Sequence, residues 1–391
     1  MDKKFIELAV IGVGSMGAFH LENINGMEKV RLKAVFDVNQ AAAGEAAEKY
    51  SVRTFPSLEE LYRWGEFDAV LIATPHYFHK ETAIEAFRYG FHVLTEKPVG
   101  VHVKDIQEMI SAWHEAKKKY PHLIFNAMFQ QRTLGHWLKI RDLIDSGELG
   151  KLVRVSWIIT DWYRTQIYFS GSEWKATWKG EGGGVLLNQS PHQLDLFQWF
   201  FGVPDRITAF ASMGKYHHIE VEDEVTGYFQ YDNGLIGHFI TSTGECPGTN
   251  RLEIVGEMGK LIFEDGRLKF FRTRSSMLDY IESSEEPFGT VETWEIDIPY
   301  EKTEESGHST VIENFASCIL NSGEPVARAE EGIHSVAMAN AMILSSLKNE
   351  TISLPLDGNR YEEALNELIE NSDFRKETTG RSRTGSMKSS F

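Results

Sequence analysis

The sequence predicts an α/β protein with two domains: an N-terminal doubly wound parallel sheet and a C-terminal α+β domain with a large, open, mainly antiparallel sheet. Two patterns predict this arrangement. Up to about residue 125, continuous apolar runs alternate with helical patterns, which is typical of parallel strands covered by helices on both faces. Beyond residue 126, short strand-like runs follow one another with only Gly, Asn and Asp turns between them, which indicates antiparallel pairing.

The N-terminal elements alternate strand and helix. A strand at 5–11 ends in a glycine turn, and a β-branched run at 32–36 ends at Asp37. Ser57 and Glu60 have the spacing of a capping box at the start of a helix. The other predicted elements are helices from the glycine turn to about residue 28, at 40–50 and at 78–89, and strands at 69–73 and 92–95.

The C-terminal elements are a helix, a series of strands and then helices again. Asn233 and Gly234 carry the hairpin signal between two of the strands. The predicted elements are helices at 135–145, 310–320, 330–347 and 361–370 and strands at 152–160, 207–211, 225–231 and 235–241. We therefore predict domains over 1–125 and 126–374, and a disordered tail over 375–391 because that segment is almost devoid of apolar residues.

Charge and composition exclude several classes of protein. The chain has 391 residues, with 40 Lys and Arg against 57 Asp and Glu, and a formal charge of −17. This excess of acid repels phosphate backbones and anionic lipid, so we expect no nucleic-acid or membrane partner. Cys246 and Cys318 lie far apart and predict buried thiols in a reducing compartment. No apolar stretch approaches the roughly 18 residues of a membrane span, so a cytoplasmic protein is predicted.

Three glycines between the first strand and the first helix predict a dinucleotide site. Gly12 can make the tight turn, Gly14 lets the backbone approach a pyrophosphate, and Gly17 permits close helix–strand packing. Asp37 can accept hydrogen bonds from both ribose hydroxyls of NAD and would repel the 2′-phosphate of NADP, so NAD is favoured. A cation near Asp37 could reverse that preference, and Lys33 is close in sequence. The alternative is a structural glycine turn with a chance aspartate.

Two polar segments follow predicted strands at their carboxyl ends, where doubly wound sheets bind ligands. The first is 74–79, and the second is the tripeptide Glu96-Lys97-Pro98. Lys97 is a candidate hydrogen-bond donor to a substrate hydroxyl, and a solvated lysine is the alternative. A third segment, 181–195, has three consecutive glycines followed by Asn188 and His192.

These segments resemble, in order and spacing over about residues 5–370, the Gfo/Idh/MocA family of sugar and inositol oxidoreductases. The resemblance implies a Rossmann domain, NAD or NADP bound between two domains, oxidation or reduction of a ring hydroxyl, and a homo-oligomer paired through the second sheet. It implies catalytic roles for Lys97 and His192. The usual family aspartate is Asn188 here, which cannot take a proton, so acid–base chemistry shifts to His192. A packed core histidine is the alternative, and Asp195 is either a supporting carboxylate or a surface one.

Further residues complete the predicted site. Aromatic faces stack on sugar C–H faces, while Arg, Gln and Asn hydrogen-bond to hydroxyls; core packing is the alternative for the tryptophans. The predicted substrate-binding residues are Arg132, Tyr163, Arg164, Gln166, Trp174, Asn188 and His308. The predicted cofactor-binding residues are Gly12, Gly14, Ser15, Met16, Gly17, Asp37, Thr74, Pro75, His76, His79, Glu96 and Lys97. No metal is expected, because the histidines and carboxylates at 217–223 fit no closed metal site and are interpreted as a solvated loop.

The leading functional hypothesis is an NAD-dependent oxidoreductase that acts on a ring hydroxyl of a sugar, glycoside or inositol, with carbon 3 of a glucoside as one candidate position. One alternative is an enzyme that uses NAD to cleave glycosides through a transient ketone. Another is a non-catalytic NAD-binding regulator, which the presence of both Lys97 and His192 disfavours. The acidity of the chain favours an uncharged substrate.

Overall fold

The computed structural model describes residues 3–302 and 307–376. Within these residues the strands form two sheets, one of six strands and one of nine, which confirms the predicted fold class. None of the described helices is both long and apolar enough to cross a membrane. The predicted tail at 375–391 lies, from residue 377 onward, outside the described residues.

The first sheet is parallel. Its strands are β1 (Ile6–Ile11), β2 (Val30–Phe36), β3 (Arg53–Thr54), β4 (Ala69–Ile72), β5 (His92–Thr95) and β6 (Phe125–Ala127). Their order is β3-β2-β1-β4-β5-β6, so the direction of strand addition reverses between β1 and β4. Strand β4 is buried at every position, which explains its continuous apolar run. The ends of β1 and β4 therefore border the crevice where such sheets bind ligands.

Helices cover both faces of this sheet. They are α1 (Ser15–Ile24), α2 (Gln40–Tyr50), α3 (Leu58–Trp64), α4 (His79–Tyr89) and α5 (Val103–Lys117). The Oγ of Ser57 accepts from the Glu60 N–H at 3.2 Å, which confirms the predicted cap of α3. Helix α1 ends four residues earlier than predicted. Helix α5 was not predicted, although its apolar residues at 103, 106, 109 and 113 have helical spacing and are buried.

The second sheet is mixed and mostly antiparallel. Its strands are β7 (Leu152–Ile159), β8 (Arg206–Met213), β9 (Glu222–Gln230), β10 (Ile236–Ser242), β11 (Asn250–Gly256), β12 (Gly259–Glu264), β13 (Arg267–Thr273), β14 (Thr293–Asp297) and β15 (Ile352–Ser353). Their order is β14-β13-β12-β11-β7-β10-β9-β8-β15, and only the β7–β10 pair among these is parallel. Gly234, at φ +91°, makes the predicted turn between β9 and β10.

Five strands of this sheet, β11 to β14 and the two-residue β15, were not predicted. Asp265 and Gly266, both at positive φ, form the turn between β12 and β13, and this Asp-Gly pair is the signal that could have identified the hairpin. Cys318 is buried as predicted, whereas Cys246 contradicts the prediction: it is exposed because it lies in the loop after β10.

Helices pack against one face of the second sheet. The C-terminal helices are α6 (Gly135–Asp145), α7 (Gln166–Ser170), α8 (Val185–Asn188), α9 (Pro191–Phe201), α10 (Met277–Ser283), α11 (His308–Asn321), α12 (Gly332–Lys348) and α13 (Gly358–Glu370). Helices α9 and α12 are buried over most of their length and share a core cluster with Trp157, Phe229 and Phe239 of the sheet. Trp157 is therefore a core residue. The side chains on the opposite face of β7 are only half-buried, so buried and half-buried residues alternate along the second half of this strand.

Helix α11 joins the first sheet instead of the second. Its apolar residues Val311, Ile312 and Phe315 share a core cluster with Leu8 of β1 and Leu21 of α1. The chain therefore returns to the cofactor layer long after the first domain is complete. This packing brings the N-terminus of α11 to the inner side of α1.

Candidate active site

The glycine turn is shaped for a ligand. Gly12 has φ +91°, and a Cβ there would lie 2.6 Å from the Ala73 carbonyl oxygen; one on Gly17 would lie 1.9 Å from that of Gly12. These two glycines are required by the close packing of β1, α1 and the end of β4. A Cβ on Gly14 meets no protein atom within 4 Å, and Gly14 is exposed. The space beside Gly14 is thus left open by the protein itself.

The N-terminus of α1 faces this open space. No side chain caps the helix, so its first N–H groups are available to an anion. Asp37 lies beside the turn, where its Oδ2 accepts from the Val13 N–H and its Oδ1 from the Asn39 N–H, both at 2.8 Å. Each oxygen retains a lone pair for a ribose hydroxyl. Lys33 instead pairs with Glu7 at 3.0 Å, which supports the preference for NAD.

Three residues line the ends of β4 and the loop that follows. The Thr74 hydroxyl is buried and has no hydrogen-bond partner among the described residues. The ring nitrogens of His79 lie 2.9 Å from the carbonyl oxygens of Thr74 and Pro98, so this histidine links the two loops. His76 packs its ring edge against Trp174. An orphaned hydroxyl, an open helix N-terminus and Asp37 together fit a dinucleotide.

Glu96 is buried, and both of its carboxylate oxygens are engaged by the protein itself. Its Oε1 contacts His20 Nε2 at 2.6 Å, and its Oε2 accepts from the Lys97 N–H at 3.0 Å. Burial alone would raise the pKa of Glu96, but the hydrogen bond and charge of His20 lower it to about 2. His308 packs its ring beside His20 and Phe19. Glu96 therefore connects helix α1 to the Lys97 loop, a link that the sequence did not reveal.

Lys97 projects toward the glycine-rich segment of the second domain. Its Nζ donates to the Asn188 carbonyl oxygen at 2.8 Å. Burial lowers the pKa of Lys97, and the carboxylates of Glu96 and Glu181 oppose that effect. The ammonium is held at the carboxyl end of β5, as the sequence predicts for a ligand crevice.

His192 lies in the first turn of α9 and is almost fully buried. Its Nε2 lies 3.2 Å from the side-chain Nε2 of Gln130, and its Nδ1 has no partner within the described part of the chain. Burial lowers the pKa of His192 well below its ordinary value, and the charge of Lys97 adds to this. The imidazole is therefore neutral at pH 7 and can carry a lone pair. Gln130 is a contact that sequence analysis missed.

Tyr168 and Glu181 were also missed. The Tyr168 hydroxyl donates to Asn188 Oδ1 at 3.2 Å. The Lys175 ammonium lies 4.1 Å and the Arg164 guanidinium 5.2 Å from the centroid of its ring. The buried Glu181 carboxylate accepts from the Asn188 side-chain amide. Tyr168 carries no motif that identifies it, whereas Glu181 directly precedes the glycine run.

Arg132 does not serve the predicted substrate role. It is 2% exposed, and its guanidinium donates to both Asp195 oxygens, at 2.6 and 2.7 Å, and to Glu331. The buried guanidinium is engaged by these two carboxylates and by the Val326 carbonyl oxygen, so Arg132 holds α9 against the segment that precedes α12. Asp195 is 1% exposed and is a supporting carboxylate, not a surface one.

The segment at 217–223 is packed and is not the solvated loop expected from the sequence. His217 Nδ1 lies 3.0 Å from the buried Asp223 carboxylate. Gln166 spans His218 by hydrogen bonds to both its N–H and its carbonyl oxygen, so Gln166 braces this loop. Tyr163 is half exposed beside Arg164. The described residues contain no group of His, Cys, Asp and Glu that could hold a metal ion.

Comparison with known proteins identifies the family. The model described as "Oxidoreductase family, NAD-binding Rossmann fold" matches residues 6–122, and that described as "GFO/IDH/MocA C-terminal domain" matches residues 137–262. The chain belongs to the Gfo/Idh/MocA family. It is accordingly an oxidoreductase with an NAD-binding Rossmann domain, as the sequence predicted.

Three relatives of this Gfo/Idh/MocA protein show the range of the similarity. The chain is 25% identical to the 1,5-anhydro-D-fructose reductase of Ensifer adhaerens over 81% of its own length and 88% of that enzyme. It is 30% identical to an inositol 2-dehydrogenase of Corynebacterium glutamicum over 60% of its length and 66% of that enzyme. The structure of the WlbA dehydrogenase from Bordetella pertussis, in complex with NADH and UDP-GlcNAcA, is similar with a TM-score of 0.75 and 25% identity, covering 90% of this chain and 100% of that one.

Proposed function

We propose that this protein oxidises a ring hydroxyl of a sugar, a glycoside or an inositol, with NAD as the hydride acceptor. The position of Lys97 carries the proposal: its ammonium lies at the carboxyl end of β5 and bonds to the Asn188 carbonyl oxygen. Its charge acts on both His192 and His76. A hydrogen-bond donor, a neutral base and an NAD-binding domain are thus brought together.

The side chains around Lys97 support a polyhydroxylated ring as substrate. Trp174 and Tyr163 are only partly buried and offer faces to C–H groups, while Asn188 and Arg164 offer hydrogen bonds to hydroxyls. Inositol and anhydro-sugar relatives agree with this class. Carbon 3 of a glucoside remains our finer proposal for the position oxidised.

In the proposed mechanism, bound NAD supplies the acceptor for the hydride from the carbinol carbon. Lys97 donates to the carbinol oxygen and stabilises the negative charge that develops as the hydroxyl proton leaves. His192 takes that proton at Nδ1. The Gln130 amide can turn so that its oxygen accepts from the Nε2–H of His192, which leaves the lone pair on Nδ1. Asn188 orients a neighbouring hydroxyl.

The direct test is a substrate panel with NAD and NADP in parallel, followed by the absorbance of reduced nicotinamide. The panel contains inositols, free hexoses, alkyl and aryl glucosides, and a glucuronide, since Arg164 and Lys175 add positive charge near Lys97. Reduction of NAD by an uncharged ring supports the proposal. A strong preference for NADP would contradict the role of Asp37.

The variants Lys97→Met and His192→Asn test the assignment of roles. Each is expected to lower turnover by about 100-fold or more, because it removes a proton-transfer or charge-stabilising group, while NAD affinity is retained. The exposed Lys151→Met variant is the matched control and is expected to keep full turnover. Unchanged turnover in either site variant contradicts the mechanism.

Product analysis separates the two alternative functions. A glycoside that is cleaved with no net change in cofactor, together with cofactor that survives purification, favours cleavage through a transient ketone. No reaction with any polyol, together with a co-purifying partner protein, favours a regulator.

A further inference from the structure

The carboxylate nearest Asn188 comes from Glu181, seven residues earlier in the chain. The Asn188 side-chain Nδ2 donates to Glu181 Oε1, and Asn188 Oδ1 accepts from the Tyr168 hydroxyl at 3.2 Å. The second Glu181 oxygen accepts from the Ala176 N–H at 2.5 Å. Since Lys97 binds the Asn188 carbonyl oxygen, Glu181 supports the residue that Lys97 contacts.

Glu181 needs both oxygens as acceptors. It is 1% exposed, and no described Lys or Arg forms an ion pair with it within 4 Å. A glutamine there would present an amide N–H to one of its two donors and lose that contact. Burial raises the pKa of Glu181, so the protein keeps a carboxyl group at an unfavourable site. The cost of burying this carboxyl group indicates that Glu181 serves the active site.

We propose that Glu181 is a positioning residue of the active site, which fixes the Asn188 amide and places negative charge beside Lys97 through the contact that Asn188 makes with both. The inference rests on the proposed function for the identity of the reacting centre. Glu181 is 1% exposed and its two oxygens accept from the Asn188 amide and the Ala176 N–H, so it acts through Asn188 and does not contact substrate itself.

The charged surroundings of Lys97 determine what removal of Glu181 does. Eight charged or titratable groups interact electrostatically with Lys97 or with Glu181: His76, His79, Glu96, Arg164, Lys175, His192, Glu222 and Lys376. Lys175 and Arg164 lower the pKa of Lys97 further, whereas Glu181 raises it. Loss of the Glu181 charge should therefore release the Lys97 proton at a lower pH.

The first experiment needs no substrate. The amine of Lys97 is labelled with acetic anhydride across pH 6–11 in the purified protein, and the labelled peptide is measured by mass spectrometry. Glu181→Gln is expected to lower the labelling midpoint by about one pH unit. Glu253→Gln is the control: that carboxylate pairs with Arg154 and Arg251 of the second sheet and is not among the groups that act on Lys97 or Glu181, so its loss is expected to leave the midpoint unchanged. An unchanged midpoint in folded Glu181→Gln overturns the charge role.

The second experiment is a double-mutant cycle on turnover. Asn188→Asp alone puts two carboxylates at hydrogen-bond distance, and Glu181→Gln alone loses one acceptor. In the double variant, the introduced glutamine amide donates to the introduced aspartate, and its carbonyl oxygen accepts from the Ala176 N–H, so each contact is restored. We expect the double variant to be at least about tenfold more active than the product of the two single losses predicts.

Strictly additive losses, with NAD affinity and thermal stability retained in each variant, overturn the inference. If the wild type oxidises no member of the panel, the proposed function fails, but the labelling midpoint still decides the role of Glu181. If the single variants are unfolded, recovery of the fold in the double variant supports the contact, and failure of that variant to recover contradicts it.

Discussion

The buried carboxyl group of Glu222 makes the stability of this protein depend on pH. Glu222 is 0% exposed, and its Oε1 accepts from the Gly184 and Leu186 N–H groups, while Oε2 has no partner among the described residues. Burial raises the pKa of Glu222 from 4.5 to about 7. A difference of about 2.5 pH units corresponds to roughly 3 kcal/mol between the folded and unfolded states.

The sign follows from which state loses its proton first. Below pH 4.5 both states hold the proton; as the pH rises from 4.5 to 7, the unfolded chain ionises while the folded one does not, so stability falls. Glu222→Gln cannot ionise and escapes this loss. Its free energy of unfolding, relative to the wild type, is expected to rise by about 3 kcal/mol between pH 4 and pH 8.

Urea unfolding followed by tryptophan fluorescence at pH 4, 6 and 8 measures this difference. Glu253→Gln is the control with the opposite sign. Burial tends to raise the pKa of Glu253, but hydrogen bonds from Arg154 and Arg251 lower it. The Glu253→Gln variant therefore loses stability relative to the wild type as the pH rises. A Glu222→Gln difference that is the same at all three pH values refutes the reasoning.

Two further predictions concern the glycine turn and the buried ion pair. Gly14→Ala is expected to keep the thermal midpoint but to weaken NAD binding by about tenfold or more, because its Cβ enters the open cofactor space. In Gly17→Ala the Cβ clashes with the backbone of Gly12, so both the thermal midpoint and the NAD affinity are expected to fall. Calorimetry measures the thermal midpoint, and fluorescence titration measures the NAD affinity. Arg132→Met leaves the buried Asp195 carboxylate without its partner and is expected to lower the free energy of unfolding, measured in urea, by about 3–5 kcal/mol. The double variant Arg132→Met with Asp195→Leu is expected to recover most of that free energy. Equal losses in the single and double variants contradict this explanation.

The features that the sequence determined depend on neighbours along the chain. The turn at Gly12 needs a positive φ, the hairpin at Gly234 does too, and Ser57 caps its helix through a residue three positions away. The position of Lys97 at a strand end follows from the length of β5 and the proline after it. Hydrophobic periodicity and turns depend on only a few consecutive residues, so they can be predicted from the sequence alone.

The partners of the polar side chains were decided by tertiary structure alone. Arg132 was predicted to bind substrate, yet Asp195, 63 positions further along the chain, accepts from its guanidinium. Glu96 meets His20 from another helix in the same way.

Helix α11 shows the same limit for whole elements. The sequence predicted the apolar face of this helix but not the sheet that this face covers. The free energy of burying an apolar face is similar against any apolar layer, so the sequence does not select the layer. The sequence thus determined the family, the NAD-binding Rossmann domain and the position of Lys97 at a strand end. Only the packing of distant segments decided that Glu181, Gln130 and Tyr168 surround Lys97 and His192, since a buried polar group takes whichever partner the fold brings within hydrogen-bond distance.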